Sequence, residues 1–403
     1  MEKIHEALLA ALRCALRSEK AELDLSGEEW SALVELARTQ KVLPMLLEAA
    51  HGSPSLQSLG EGEVILLKRQ VRRQVMVQTL STEEFLTLNR ALRDRGLRPL
   101  VVKGLVCREL YPKPDHRPSG DEDVLIDPEQ FARCREILLG LGLESAGGEP
   151  DDYEIPFRKQ GSPLYIELHR SLFPPQSDAY GHWNRFFDGV FDRAVELPEL
   201  GLWTMAPTDH LFYLVCHAFK HFLHSGFGIR QVCDIVLFAN RYGADVDWQQ
   251  VLRNCEAIRG AKFAAAVFRI GEKHLGIPAP GAFRGLDVDE MPMLRDLLEG
   301  GLYGNATLSR KHSSTITLEA VAAEKQGRRP RGGLMASAFP SAEKLAGKYP
   351  YLKEKPWLLP FAWGQRLWRY SRETRTAADS SAAEALKLGR ERLALLRQYD
   401  ILD

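Results

Sequence analysis

Gly96 and Pro99 separate the first quarter of the chain from the remainder. Ahead of them, apolar residues recur every three or four positions, the period of one helical face. Leu8, Leu9, Leu12 and Leu16 set that period, and Ser26-Gly-Glu-Glu opens a helix carrying Trp30, Leu33, Val34 and Ala37. A long helix then runs from about Glu63 to Arg95 and ends at Gly96. Pro99 bars a helix from continuing and suits the first residue of a strand. The short run Leu100-Val101-Val102 reads as that strand, buried by its length and β-branching.

From residue 97 to 170 the chain alternates strand and helix. Leu105 to Leu110 predicts a short helix, and Tyr111 to Gly120 a loop with three prolines. Asp121-Glu-Asp-Val-Leu-Ile126 predicts a second strand, stopped by Asp127-Pro128, and a helix follows to Leu141. Tyr153 to Arg158 and Leu164 to His169 flank Gln160-Gly161-Ser162 as a hairpin. Pro156 lacks a backbone N–H, which places its strand at the sheet edge.

Helices resume at Pro207, the first capped by Thr208 or Asp209, with others at about 228–241, 247–258 and 260–275. The class is α+β, a small mixed sheet domain embedded between helical N-terminal and C-terminal regions. The expected organisation is a helical region at 1–95, a sheet core at 96–200, a helical domain lining a cleft at 201–300, a basic linker-like segment at 301–350 and C-terminal helices at 351–403. Trp357, Trp363 and Trp368 are expected as core anchors.

Composition narrows the function classes. The chain has 403 residues, with 53 Lys/Arg against 54 Asp/Glu. That balance disfavours a nucleic-acid coat and an acidic tail protein. From residue 301 onward, however, there are 18 Lys/Arg and 10 Asp/Glu, with Gly327-Arg-Arg-Pro-Arg331 as a solvated connection. The six cysteines form no Cys-x-x-Cys pair and suit buried, reduced thiols. No signal peptide or membrane span is visible, so the expected location is cytoplasmic.

The chemistry concentrates in three places. Asp121 and Asp123 lie on one face of their strand, and Tyr165, Glu167 and His169 share a face of theirs. Glu167 is an acid in the middle of an apolar strand, costly unless paired or bound to a cation. Three carboxylates on neighbouring strands form a hard oxygen cluster suited to Mg²⁺. Asp-x-Asp alone is weak evidence, since two acids at a strand start are often a solvated edge.

Lys103-Gly104, Asp121-Glu-Asp123-Val-Leu-Ile and Tyr165-Ile-Glu167-Leu-His169 together resemble the DNA polymerase β-type nucleotidyltransferase superfamily. More narrowly, with Arg117-Pro118 and His169, the chain resembles an uncharacterised bacterial nucleotidyltransferase family. The resemblance covers most of residues 25 to 240, including Trp30 to Pro44 and the His217-Ala-Phe-Lys220-His221 helix with Asp234. Lys103-Gly104 stands where the superfamily usually has Gly-Ser, the loop to Asp121 is long, and Glu122 replaces an apolar residue.

The resemblance implies transfer of a nucleoside monophosphate from a nucleoside triphosphate to a hydroxyl on a small molecule, peptide or protein, with release of pyrophosphate. Asp121, Asp123 and Glu167 would be both catalytic residues and ligands to Mg²⁺, with Mn²⁺ as the alternative ion. Lys103, Arg117 and the backbone at Gly104 would meet the triphosphate. His169, His217, Lys220, His221 and Asp234 complete the candidate nucleotide or substrate contacts. Blander readings stand beside these: a solvated Lys103, a backbone-bonded His169, a helix–helix interface for the His210/His217/His221/His224 stripe, and a surface ion pair between Arg230 and Asp234. Zinc on that histidine stripe is the weaker alternative. The competing function is a catalytically inactive nucleotide-binding regulator. A membrane partner is not expected, and nucleic acid is disfavoured by the near-neutral charge.

Overall fold

The structure, a computed structural model, describes residues 2–149, 152–301, 308–325, 342–345, 349, 351–365 and 382–403. The chain opens with helices α1 (Lys3–Leu16), α2 (Gly27–Thr39), α3 (Leu43–Ala50) and α4 (Glu61–Arg93). Ser26 caps α2 in a full capping box with Glu29, and Trp30, Leu33, Val34 and Ala37 are buried as their spacing predicts. At 33 residues, α4 is about 50 Å long.

Seven strands form one sheet in the order β3-β4-β5-β2-β1-β7-β6. They are β1 (Leu100–Val101), β2 (Glu122–Leu125), β3 (Leu143–Ser145), β4 (Glu154–Lys159), β5 (Tyr165–His169), β6 (Val195–Leu197) and β7 (Leu202–Thr204). Helix α5 (Gly104–Arg108) follows β1, and α6 (Phe131–Gly140) follows β2. The pairs β2–β5 and β1–β7 are parallel and the rest antiparallel. All four residues of β2, including Glu122 and Asp123, are buried.

Two strand expectations need correction. The hairpin β4–β5 forms, and Gly161 takes the left-handed φ of 74° its turn requires. Yet β4 is not an edge strand, since β3 pairs along its outer side. Pro156 is tolerated because the β3 ladder ends at Ser145, opposite Phe157. The Pro156 carbonyl still accepts from Ala146 N at 2.8 Å, so little pairing is lost. The hairpin β6–β7, which extends the sheet beyond β1, was not expected at all.

The C-terminal half contains α7 (Pro207–His224), α8 (Ile229–Tyr242), α9 (Trp248–Ala257), α10 (Ala261–Ile270), α11 (Gly281–Arg284), α12 (Met291–Gly300) and α13 (Leu308–Lys325). Ala206 rather than Thr208 or Asp209 is the cap of α7, with Pro207 at its first position. Helix α13 occupies part of the segment expected to be a linker, and it packs on α7 and on the C-terminal helix Ala382–Gln398. Gly327 to Arg331 and Trp368 lie outside the described residues. Trp357 is 74% exposed and is therefore not a core anchor.

One apolar core runs from α1 to the C-terminal Leu402. Gln40 ties its halves together, donating to the Leu297 carbonyl at 2.8 Å and accepting from Ile229 N at 2.9 Å. All six cysteines are free, five of them buried. Among the described residues no helix is long and apolar enough to cross a membrane.

Candidate active site

The parallel pairing of β2 with β5 sets Asp123 directly opposite Glu167. Alternation along β5 then brings His169 to the same face, two residues on. Ligand atoms of Asp123, Glu167 and His169 all lie within 4.8 Å of one another. It is the one such group of possible metal ligands among the described residues. Asp121, the third acid expected, stands just before β2, outside that group and half-exposed. The convergent trio is thus two acids and a histidine, with Asp121 at its margin.

The two acids are shifted in opposite directions. Burial alone would raise the Asp123 carboxyl, but Lys103 and His169 outweigh it and hold it well below the usual carboxylate range. Lys103 Nζ is 2.8 Å from Asp123 Oδ2, both groups buried. Glu167 is pushed the other way, up to about 8, by burial and by the charges of Asp123, Asp121 and Glu154. His169 Nε2 lies 3.4 Å from Asp123 Oδ1 and 3.9 Å from Glu167 Oε2, and its Nδ1 lies 3.7 Å from Glu154 Oε2.

Alternation sends Glu122 to the opposite side of β2. It is buried, 2.6 Å from Arg108 Nη1, and its other oxygen accepts from Leu105 N at 2.8 Å. The N–H taken by Glu122 at the start of α5 is that of Leu105, the residue after Gly104. Gly104 serves the same contact. It sits at φ 38°, and a Cβ there would meet Glu122 Oε2 and lie 2.8 Å from its Cδ.

The expectation for Arg117 needs correction. Its side chain is fully buried and is spent on Asp234, with Nε donating to Oδ1 at 3.0 Å and Nη2 to Oδ2 at 2.6 Å. Burial would raise Asp234, but Arg117 outweighs it and lowers it. Tyr111 Oη donates to the same carboxylate at 2.8 Å. Arg230 does not form the surface ion pair with Asp234; it is buried and donates to the Pro118 carbonyl. Ser119 N donates to Gln78 Oε1 on α4 at 2.7 Å, and Ser119 Oγ to the Asp121 carbonyl at 2.9 Å. The loop leading into β2 is therefore clamped between α8 and α4, and Asp121 is placed by that clamp.

Helix α7 supplies the facing wall. His217 Nε2 is 3.3 Å from Lys103 Nζ and 3.4 Å from His221 Nε2. Burial and Lys103 push His217 well below its ordinary value, and burial with Lys220 does the same to His221. Burial and Lys103 also lower Lys220, while Glu154, Asp123 and Glu167 oppose the shift. The histidine stripe divides. His210 is buried against Phe238 and Thr204, and His224 bonds Tyr180 Oη at 2.8 Å, so neither belongs with His217 and His221.

Comparison with known proteins gives the family. Residues 26–276, more than half of the chain, match the family described as uncharacterised nucleotidyltransferase. The chain belongs to this family. Among solved structures it is similar to an antigenic nucleotidyltransferase-like protein from Paracoccidioides brasiliensis, at 11% identity and a TM-score of 0.29, over 50% of this chain and 93% of that one. It is also similar to a tRNA-processing enzyme in an apo form, at 14% identity and a TM-score of 0.23, over 79% of this chain and 97% of the other. Comparison with curated proteins finds no match.

As a nucleotidyltransferase, the chain has nucleotidyl transfer as its general chemistry, and its donor set fits a divalent cation. His169 is buried, yet neither ring nitrogen makes a hydrogen bond among the described residues. Two carboxylates lie beside it, one charged and one raised by its acidic neighbours. A cation between them would remove that repulsion. Oxygen donors suit Mg²⁺ and Mn²⁺, and the imidazole adds a ligand that transition ions accept more readily.

The sequence reading of this nucleotidyltransferase missed Glu154, which the hairpin register sets opposite His169 and could have revealed. It also missed Gln78 and Tyr111, whose roles carry no local sequence signal.

Proposed function

We propose that the chain transfers a nucleoside monophosphate from a nucleoside triphosphate to an acceptor hydroxyl, using Mg²⁺ or Mn²⁺ held by Asp123, Glu167 and His169. The acceptor oxygen bonds to the α-phosphorus, the bond from that phosphorus to the bridging oxygen breaks, and pyrophosphate leaves with the electron pair. The hydroxyl proton passes to a carboxylate oxygen of Glu167, which a bound cation keeps ionised and so able to act as the base. When bound, the ion neutralises charge on the phosphates and orients them. Lys103 and Lys220 supply fixed positive charge on the α7 side, where the triphosphate would lie. Asp121 shapes the field at Glu167 from the margin. Asp234 and Arg117 act as positioning residues through the loop.

The observation that carries this reading is the register of Asp123 against Glu167, with His169 beside them and Lys103 behind. The test is incubation with each labelled triphosphate and Mg²⁺ or Mn²⁺ across a panel of hydroxyl acceptors. Pyrophosphate release by the wild type, absent in Asp123→Asn, supports it. Tight triphosphate binding with no release under either ion returns the regulator reading.

A further inference from the structure

A cleft of about 560 Å³ opens between α2, α4 and the loop Pro118–Asp121. That volume is in the range of small-molecule sites. Resting on the nucleotidyl-transfer reading, we propose that this cleft seats the acceptor and that the acceptor is a small molecule carrying a phosphoryl group.

Charge is the first argument. Arg38, Lys41, Arg73 and Arg230 line the cleft, and Asp121 is the one acid among the described residues that do so. Arg38 is held in place, donating to Gln70 Oε1 at 2.9 Å and to Glu35 Oε2 at 3.2 Å. Lys41 and Arg73 are exposed. A concave surface with this surplus concentrates anions.

The second argument is two unanswered donors. Arg230 is 5% exposed; its Nη1 goes to the Pro118 carbonyl, and its Nε makes no hydrogen bond among the described residues. Gln78 is 3% exposed; its Oε1 accepts from Ser119 N, and its Nε2 has no hydrogen-bond partner among the described residues. Buried N–H groups left unpaired are costly. Both line the cleft, and both call for an acceptor oxygen. Phosphoryl oxygens answer donors and positive charge together.

Position gives the third. Asp121 lines the cleft and stands two residues before Asp123 on the strand that pairs with Glu167, so the cleft reaches the approach to the acids. The cations Lys103, paired with Asp123, and Lys220, a residue of α7, do not line the cleft. A molecule with its phosphoryl group among Lys41, Arg73 and Arg230 would present its far hydroxyl toward Asp121 and Glu167. A small molecule suits a bounded cavity better than a polymer does. Lys68, Arg69 and Arg72 are exposed elsewhere on α4 and do not line the cleft, so they separate the two cases.

The experiment is calorimetric titration of the full chain with ribose 5-phosphate, glycerol 3-phosphate and inorganic phosphate. It is repeated on Lys41→Glu/Arg73→Glu and on Lys68→Glu/Arg69→Glu/Arg72→Glu, each checked for an unchanged melting temperature. Expected is binding of at least one phosphate ester more tightly than inorganic phosphate. That binding should weaken about tenfold or more in the first variant and be unchanged in the second. A non-hydrolysable ATP analogue with Mg²⁺ should bind all three proteins alike. The proposal falls if the wild type binds no ester, if the first variant binds esters as the wild type does, or if that variant loses the ATP analogue, which would make the cleft the triphosphate's seat. It falls equally if a 5′-phosphorylated RNA displaces the ester and is lost in the second variant. Ester binding that behaves as expected, in a protein that binds no ATP analogue, would keep the anion site and reject nucleotidyl transfer instead.

Discussion

Arg117 and Asp234, 117 residues apart in sequence, face each other as a two-pronged ion pair with both side chains buried. Removing one partner strands the other charge away from water. Arg117→Ala or Asp234→Ala should therefore cost about 3–5 kcal/mol in denaturant unfolding. Replacing both together, as Arg117→Met/Asp234→Leu, should be less damaging than either single change. Transfer should still suffer in the double variant, because the clamp on the loop to Asp121 would be gone.

Gly104→Ala tests the contact behind β2. The new methyl would press on the Glu122 carboxylate at a backbone angle that L residues rarely take. A loss of about 2–3 kcal/mol is expected, read as a lower midpoint in urea. An unchanged midpoint would mean that Glu122 can swing away from Leu105 N.

Glu167→Gln separates catalysis from structure. It should lower transfer by about a hundredfold or more. It also removes a carboxyl that crowds Asp123, so the melting temperature without metal should stay level or rise. The rise in melting temperature that Mn²⁺ gives the wild type should shrink in this variant. A globally unfolded Glu167→Gln would show the acid to be structural.

Stability should fall in mild acid. Burial holds His210 at about 4, against an ordinary value near 6.5. Between those values the unfolded chain binds the proton and the folded one does not. Its contribution is therefore complete above about pH 6.5 and is lost as the pH drops toward 4, by up to about 3 kcal/mol. His224, held at about 4 mainly by burial, works in the same direction. Unfolding midpoints measured from pH 7 to pH 4 should slope less steeply in His210→Asn than in the wild type.

Much of this arrangement is legible in the sequence. Trp30, Leu33, Val34 and Ala37 follow helical spacing, and the strands bearing Asp123 and Glu167 follow period two. Partner choice is less visible. That Arg117 meets Asp234 rather than a phosphate depends on where α8 packs, which no local pattern encodes. The strands β6 and β7 are not legible because each has only three residues, too few to establish a period of two. The cleft was invisible for a similar reason: Arg38, Arg73 and Arg230 come from three separate helices and meet only after folding.

The clamp on the Asp121 loop also sets an order of events during synthesis. Strands β1, β2 and β5 are complete once residue 169 has emerged, but the carboxylate that secures Tyr111 and Arg117 belongs to residue 234. A growing polypeptide halted between those two points can align Asp123 with Glu167 while the approach to them hangs loose. On the proposed function, competence should arrive late on the ribosome, once α8 has cleared the exit tunnel and can fold against that loop.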